Sequence, residues 1–141
     1  MSGNSLWLVG KNNMGICYAK VLKSINREFV LISRQKCEEN NPMIKYAQKR
    51  LSGGIDFLLE RNKCPSSAII AVNLENLYQV ANKLIKSGCK SILLEKPGSL
   101  NRQNLLNLNE LAKKNKSEVF IAYNRRFFSS VKLLRSLIAK E

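Results

Sequence analysis

The chain has 141 residues, enough for one domain, and its 45% hydrophobic and 24% charged content is typical of a globular protein and excludes global disorder. It contains 24 Lys and Arg against 10 Asp and Glu, a net charge of +14. This charge favours anionic partners such as nucleotides, phosphates or nucleic acid. The basic residues are nevertheless spread along the whole chain, as solvated surface lysines are, and form no patch of the kind that nucleic acid requires. We therefore predict no nucleic-acid partner.

The sequence contains no histidine, which excludes a histidine-containing zinc site or a histidine-based catalytic triad, and we predict no metal site. None of the cysteines forms a Cys-x-x-Cys pair, and Cys17 and Cys89 have apolar neighbours that place them in the core. No secretory signal pattern is present, and no apolar run approaches the roughly 20 residues that span a bilayer. We expect a cytoplasmic protein with reduced thiols and no membrane partner.

In the first half of the chain, short apolar runs alternate with amphipathic segments. Residues 6–9 form a compact apolar run, and residues 14–25 then place apolar side chains at helical spacing. A second apolar run covers residues 29–32. The less apolar segment 40–51 is predicted as a helix, and residues 56–61 as a short helix that ends before a proline.

The second half shows the same alternation more clearly. Its predicted elements are, in order, a strand at 68–72, a helix around 77–85 capped by Gly88, a strand at 91–94, a helix at 101–114, a strand at 118–122 and a last helix at 129–139.

This order of strands and helices predicts an α/β fold, a doubly wound parallel sheet of Rossmann type in three α/β/α layers. Ligands of such folds bind outside the carboxyl ends of the strands. The turns after Val9, Ile32, Val72, Leu94 and Ala122 should therefore share one edge of the sheet. We take the candidate functional residues from those turns.

The first turn has the sequence Gly-Lys-Asn-Asn-Met-Gly over residues 10–15, between a strand and a helix, as a dinucleotide-binding fingerprint requires. Gly10 permits the tight turn, Gly15 allows close packing of the helix, and amides at the helix start would hold a pyrophosphate. Asn12 replaces the usual middle glycine, and asparagine tolerates left-handed backbone, so the loop shape is expected to survive. Alone, the pattern is as typical of an ordinary strand-to-helix turn as of a cofactor site. The cofactor-binding candidates here are Gly10, Asn12, Asn13, Met14 and Gly15.

The second strand ends in Ser33 and Arg34, where an NAD-specific site usually has Asp or Glu to bind the ribose hydroxyls. A hydroxyl and a guanidinium suit a 2′-phosphate, because arginine presents a planar fork of donors. The pair therefore favours NADP, with NAD as the alternative. A surface arginine after a strand would give the same pattern.

The strand at 91–94 is followed by Glu95-Lys96-Pro97. An ionisable pair at the carboxyl end of a strand, locked by a proline, suits a catalytic lysine. Lys96 could donate to a substrate hydroxyl oxygen or transfer a proton. Elsewhere in a protein such a pair is usually a solvated surface pair.

Taken together, these motifs resemble the Gfo/Idh/MocA oxidoreductases, a family that includes glucose–fructose oxidoreductase and inositol dehydrogenases. The match runs in order along essentially the whole chain. Its segments are the loop and helix at 10–22, the strand and turn at 68–73, the specific motif Glu95-Lys96-Pro97, and the sequence Tyr-Asn-Arg-Arg-Phe at 123–127.

The resemblance implies a domain that binds NAD(P) for hydride transfer to or from a sugar-like or cyclitol carbon, within carbohydrate metabolism. Lys96 would match the catalytic lysine, which contacts the reacting hydroxyl near the nicotinamide, and Glu95 would fix the turn. The Lys96–Pro97 bond is a candidate cis peptide. The matching turns supply further cofactor-binding candidates, which are Asn73, Glu95, Lys96, Pro97 and Asn124.

The domain organisation that the resemblance implies is a dinucleotide-binding domain at 1–124, with 125–141 as the start of a connection to a C-terminal substrate domain. A chain of 141 residues cannot hold that second domain. We expect the chain to bind the dinucleotide but to act on a small sugar-like substrate only together with the second domain.

Two alternatives stay open. One is a non-catalytic Rossmann-like sensor or partner subunit, which would associate, in a homo-oligomer for example, through uncovered apolar faces. The other is single-stranded nucleic acid bound by Arg125, Arg126, Phe127 and Phe128, although a family turn followed by core aromatic residues is the preferred interpretation of that cluster.

Overall fold

The computed structural model describes residues 5–139, which form a six-stranded parallel sheet between two layers of helices. The strands lie in the order β3-β2-β1-β4-β5-β6, which is the order of a dinucleotide-binding Rossmann fold. The predicted doubly wound α/β fold is confirmed. The strands are β1 (Leu6–Val9), β2 (Val30–Ser33), β3 (Lys49–Ser52), β4 (Ser67–Ile70), β5 (Ser91–Leu94) and β6 (Glu118–Ile121).

Five α-helices and two short 3₁₀ turns connect and extend these strands within the described residues. The helices are α1 (Asn13–Ser24), α2 (Ile55–Arg61), α3 (Leu74–Lys86), α4 (Arg102–Asn115) and α5 (Ser129–Ile138), and the 3₁₀ turns are Pro42–Lys45 and Asn124–Phe127. No helix within residues 5–139 is long and apolar enough to cross a membrane.

The central strands are buried on both faces, which explains their uninterrupted apolar sequences. Trp7 and Val9 of β1 belong to the core under α3 and α4, whereas Leu6 and Leu8 belong to the core under α1. All four side chains of β1 are buried. Successive side chains of a strand point to opposite faces, so a helical layer on each side covers all of them.

The expected helix at 40–51 is wrong. Residues 42–45 form a single 3₁₀ turn, with Pro42 at its start and the Asn41 side chain accepting from the Met43 amide at 3.0 Å. Residues 49–52 then form β3, which pairs in parallel with β2 at the edge of the sheet. The exposed Lys49 and Arg50 give this strand a polar sequence, as edge strands often have. The strand therefore lacks the apolar run on which strand prediction depends.

Of the two cysteines predicted to lie in the core, one is exposed. Cys17 is exposed, because α1 buries Gly15, Ala19 and Leu22, and a residue two positions after Gly15 lies on the opposite side of the helix. Cys89 is fully buried, as predicted.

The aromatic residues after β6 lie outside the core as well. Phe127 is 68% and Phe128 55% exposed, because the chain leaves the sheet here and α5 packs chiefly on the 3₁₀ turn that precedes it. The assignment of 125–141 to a connecting segment stays a prediction.

Gly10 is held where no other residue fits. Its φ is +116°, and a Cβ there would overlap the carbonyl oxygen of Ala71 at the end of β4. Gly88 also has a positive φ, +101°, but a Cβ there would meet nothing within 4 Å. A substitution at Gly88 therefore introduces backbone strain alone, whereas one at Gly10 introduces both strain and steric overlap.

We expect Gly10→Ala to lower the free energy of unfolding by more than about 3 kcal/mol, because strain and overlap add. The matched control Gly88→Ala has the strain alone and should cost about 1 kcal/mol. Urea unfolding of both variants measures the difference. Equal losses for the two variants would contradict the close approach of Gly10 to β4.

Candidate functional site

A cavity of about 740 Å³ opens at the carboxyl ends of β1, β2 and β4. From β1 the chain winds outward to β2 and β3, and then returns to β4 on the other side of β1. The cavity therefore lies at the point where the strand order reverses, which is the ligand site of open α/β sheets. Its walls also include the start of α2 and one face of α3, from Asn76 to Lys83.

The structure brings five of the predicted cofactor-binding residues together around this cavity. They come from the turns after three different strands and are Gly10, Asn12, Ser33, Arg34 and Asn73. The other predicted residues do not line it: Asn13, Met14 and Gly15 begin α1, Glu95, Lys96 and Pro97 follow β5, and Asn124 follows β6.

The glycine loop packs as tightly as its sequence predicts. Besides the overlap at Gly10, a Cβ at Gly15 would lie 2.6 Å from the carbonyl oxygen of Gly10, so the first turn of α1 presses directly on the loop. The loop is also joined to the neighbouring strand, because the Gly10 amide donates to the carbonyl of Ile32 at 3.0 Å.

The expected role of Asn12 is wrong in its mechanism. Its backbone is extended, with φ −78° and ψ −179°, and is not left-handed. Asn12 is instead the N-cap of α1, and its Oδ1 accepts a hydrogen bond from the Gly15 amide at 2.9 Å. The Gly15 amide is thereby satisfied within the chain. The amides of Asn13 and Met14 have no partner among residues 5–139 and stay available to an anion.

At the end of β2, Ser33 is buried and its hydroxyl donates to the carbonyl of Gln35 at 2.6 Å, so its proton is used inside the turn. Arg34 is exposed on the cavity wall, with Nη2 3.4 Å from Oδ1 of Asn76. A cation therefore stands where many NAD sites have a carboxylate.

Sequence reasoning missed a second set of cavity residues on β3, α2 and α3. Gly53 and Gly54 follow β3. They are not among the predicted site residues because the sequence predicts a helix where β3 begins. Asn76 and Lys83 are seven residues apart on α3 and therefore share one face, a polar stripe that the helical spacing could have revealed. The other polar lining residues that were not predicted are Lys11 in the glycine loop, Gln35 after β2, Asp56 on α2 and Gln79 on α3.

The charges around the cavity favour an anion. Its lining contains three cations, Lys11, Arg34 and Lys83, and a single carboxylate, Asp56. Lys83 Nζ lies 2.6 Å from Asp56 Oδ2, but the Lys83 side chain is 41% and the Asp56 side chain 67% exposed, so solvent screens the pair and it adds little stability. Within the described residues no cluster of three metal-ligating side chains occurs.

The turn after β5 is ordered by a contact that the sequence did not predict. The Tyr18 hydroxyl of α1 donates to Oε1 of Glu95 at 2.6 Å, and the Gly98 amide donates to the Glu95 carbonyl at 2.9 Å. The Lys96–Pro97 peptide bond is cis, as proposed from the sequence. Lys96 itself is exposed beside this fixed turn.

Tyr18 is held in its neutral form. Burial chiefly, and then the hydrogen bond to Glu95 and the charge of that carboxylate, raise the pKa of Tyr18 well above its ordinary value of 10.0. The hydroxyl therefore remains a donor to Glu95 throughout the physiological pH range.

Solved structures similar to this chain include NAD-binding oxidoreductases of the Gfo/Idh/MocA type, and the structural resemblance predicted from the sequence is confirmed. The WlbA (WbpB) dehydrogenase of Thermus thermophilus, in complex with NAD and UDP-GlcNAcA, matches 99% of this chain at a TM-score of 0.80 and 16% identity. The UDP-N-acetylglucosamine 3-dehydrogenase GnnA of Acidithiobacillus ferrooxidans matches 97% of this chain at a TM-score of 0.75 and 18% identity. An NAD binding oxidoreductase of Klebsiella pneumoniae matches 97% of this chain at a TM-score of 0.77 and 18% identity.

The chain spans 48%, 44% and 39% of the lengths of those three proteins. At such low identities the likeness establishes the fold. No family model matches the sequence. No curated protein matches it at a significant level.

We expect Tyr18→Phe to lower the free energy of unfolding at pH 7 by about 1 kcal/mol, because a partly buried carboxylate loses its donor. Below about pH 10 Tyr18 is protonated in both the folded and the unfolded chain, so the loss is constant. Above about pH 10 only the unfolded chain ionises Tyr18, so its contribution fades as the pH rises and the gap between wild type and variant narrows.

Urea unfolding from about pH 7 to pH 11 measures that gap. Tyr123→Phe is the control, because Tyr123 is exposed and should show no such dependence. A gap that stays constant to pH 11, or one shared by the control, would show that Tyr18 is not the buried donor.

Proposed function

We propose that the chain is the cofactor-binding part of an NAD(P)-dependent oxidoreductase of the Gfo/Idh/MocA family. The reaction is hydride transfer between the nicotinamide and a hydroxyl-bearing or carbonyl carbon of a sugar, cyclitol or sugar derivative. The observation that carries the proposal is the cationic cavity at the reversal of strand order, beside a glycine loop and a helix with unpartnered amides.

The residues present fit a dinucleotide. The amides of Asn13 and Met14, with Lys11 beside them, suit a pyrophosphate. A volume of about 740 Å³ lies within the range of small-molecule sites, and Ile55 and Val80 supply apolar wall for a base.

Arg34 is the residue that we expect to decide between the two dinucleotides. It lies on the cavity wall after β2, where its guanidinium could form paired hydrogen bonds to a 2′-phosphate. This favours NADP, as the sequence does. The Thermus dehydrogenase was solved with NAD, however, and this supports a nicotinamide dinucleotide without favouring NADP. We therefore keep NAD as the alternative.

Lys96 is the candidate catalytic residue. It follows β5 next to Glu95, which Tyr18 holds in place, so the backbone that presents Lys96 is fixed from α1. Its ammonium can donate to a substrate hydroxyl oxygen and exchange a proton with it. The bound nicotinamide supplies the hydride acceptor or donor. Asn124, at the next strand end, is proposed to contact the same cofactor.

The substrate class rests on the relatives. The Thermus structure contains UDP-GlcNAcA, and the Acidithiobacillus enzyme acts on UDP-N-acetylglucosamine by name. Because this chain covers less than half of either protein, we propose that the substrate is bound mainly by a second domain or subunit.

A non-catalytic Rossmann-like partner subunit is the second candidate. The observation in its favour is the uncovered apolar side of α5, where four large side chains are more than half exposed: Leu133, Leu134, Leu137 and Ile138. A subunit of this kind would associate through α5 whether or not a dinucleotide is present.

We expect calorimetric titration to show binding of NADPH, NADH or both. Arg34→Ala should weaken NADPH binding by about tenfold or more, because a charge-assisted contact to the 2′-phosphate is lost, and should change NADH binding little. Lys86→Ala is the matched control, since it removes one positive charge from the exposed end of α3 and Lys86 does not line the cavity.

No binding of either dinucleotide at millimolar concentration would contradict the proposed function and favour the partner-subunit alternative. An equal effect of Arg34→Ala on both dinucleotides would leave the function standing and overturn the role of Arg34 in specificity.

A further inference from the structure

Two cysteines that are 25 positions apart in the sequence meet at the amino-terminal edge of the sheet, opposite the cavity. Cys64 lies three residues before β4 and Cys89 two residues before β5. These strands pair with Ser67 opposite Ser91, so both cysteines enter the sheet at neighbouring points. Neither residue belongs to the proposed cofactor site.

The contacts bring the two side chains to the same place. Cys64 Sγ lies 3.8 Å from the carbonyl oxygen of Leu84, and the Cys89 amide donates to that same oxygen at 3.0 Å. Cys89 Sγ lies 3.7 Å from the carbonyl oxygen of Ser66, two residues after Cys64. Both side chains therefore lie between the same two backbone segments, at the start of β4 and at the end of α3.

The two thiols are unequal. The hydrogen bond from Cys89 lowers the pKa of Cys64, and the same hydrogen bond together with burial raises the pKa of Cys89. Cys64 is partly exposed, whereas Cys89 is completely buried. Cys64 is therefore the thiol that solvent reaches and that ionises more readily, which are the properties of a reactive cysteine.

We propose that Cys64 and Cys89 are an oxidisable dithiol that closes to an intramolecular disulfide when a hydroperoxide reaches Cys64. The Cys64 thiolate attacks the peroxide, the O–O bond breaks, and a sulfenic acid forms with release of hydroxide, or alkoxide from an alkyl peroxide. The Cys89 sulfur then attacks the Cys64 sulfur, the S–O bond breaks, and water leaves with the proton of Cys89. With hydrogen peroxide, two thiols yield one disulfide and two waters.

The cross-link would enclose β4 and all of α3, which carries the cavity residues Asn76 and Lys83. Closing this loop restricts the unfolded chain, so the oxidised protein should be more stable than the reduced one. This gives the oxidation a readout that is independent of cofactor binding.

The test uses the double variant Cys17→Ser/Cys37→Ser, which keeps only the pair. One equivalent of hydrogen peroxide should remove both thiols together, lower the mass by about 2 Da, join the peptides that contain residues 64 and 89, and raise Tm. Dithiothreitol should reverse all four changes. In the matched control, Cys89→Ser in the same background, Cys64 should gain oxygen instead.

The proposal is overturned if Cys64 gains two or three oxygens while Cys89 stays a thiol, or if both thiols survive while the exposed Cys17 of the wild type is oxidised. Peptide mapping of the oxidised wild-type chain gives the same decision if the double variant does not fold.

Discussion

The structure depends on one close backbone approach, that of the loop after β1 to the end of β4. Gly10 meets the carbonyl of Ala71 at a distance that no Cβ would allow, and Gly15 in turn meets the carbonyl of Gly10. Hydrogen bonds hold the loop on both sides, from the Gly10 amide to Ile32 and from the Ala71 amide to Val9. This packing sets the start of α1, with its two unpartnered amides, beside the glycine loop at the reversal of strand order.

The same helix reaches the second part of the candidate site. Tyr18 lies on α1, one turn beyond the glycine loop, and its hydroxyl fixes Glu95 beside Lys96. The cavity and the turn after β5 are thus tied to one helix although they do not share a lining. A rigid link of this kind suits an enzyme in which a cofactor and a proton-transferring lysine must keep a constant geometry.

The sequence predicts the parts of the fold in which local pattern and burial agree. β1, β2 and β4 have buried side chains on both faces and therefore appear as apolar runs, and α3 has a clear apolar stripe. β3 could not be predicted, because an edge strand with Lys49 and Arg50 exposed has no such pattern.

Contacts between segments that are distant in the sequence could not be predicted either. The Tyr18–Glu95 hydrogen bond spans 77 positions, and the meeting of Cys64 with Cys89 follows from the pairing of β4 with β5. Asn12 was recognised as part of the loop, but its role as N-cap depends on a backbone conformation that the residue type does not determine.

The proposed function requires that a nicotinamide dinucleotide bind at the carboxyl edge of this sheet. Amide chemical shifts of the isotope-labelled chain, followed by NMR during titration with NADH and NADPH, test it most directly. We expect shifts concentrated in residues 10–15, at the turn after β2 and at the start of α3, with α5 and the amino-terminal edge unchanged. Shifts scattered over the basic surface or concentrated on α5, with the glycine loop unaffected, would contradict it.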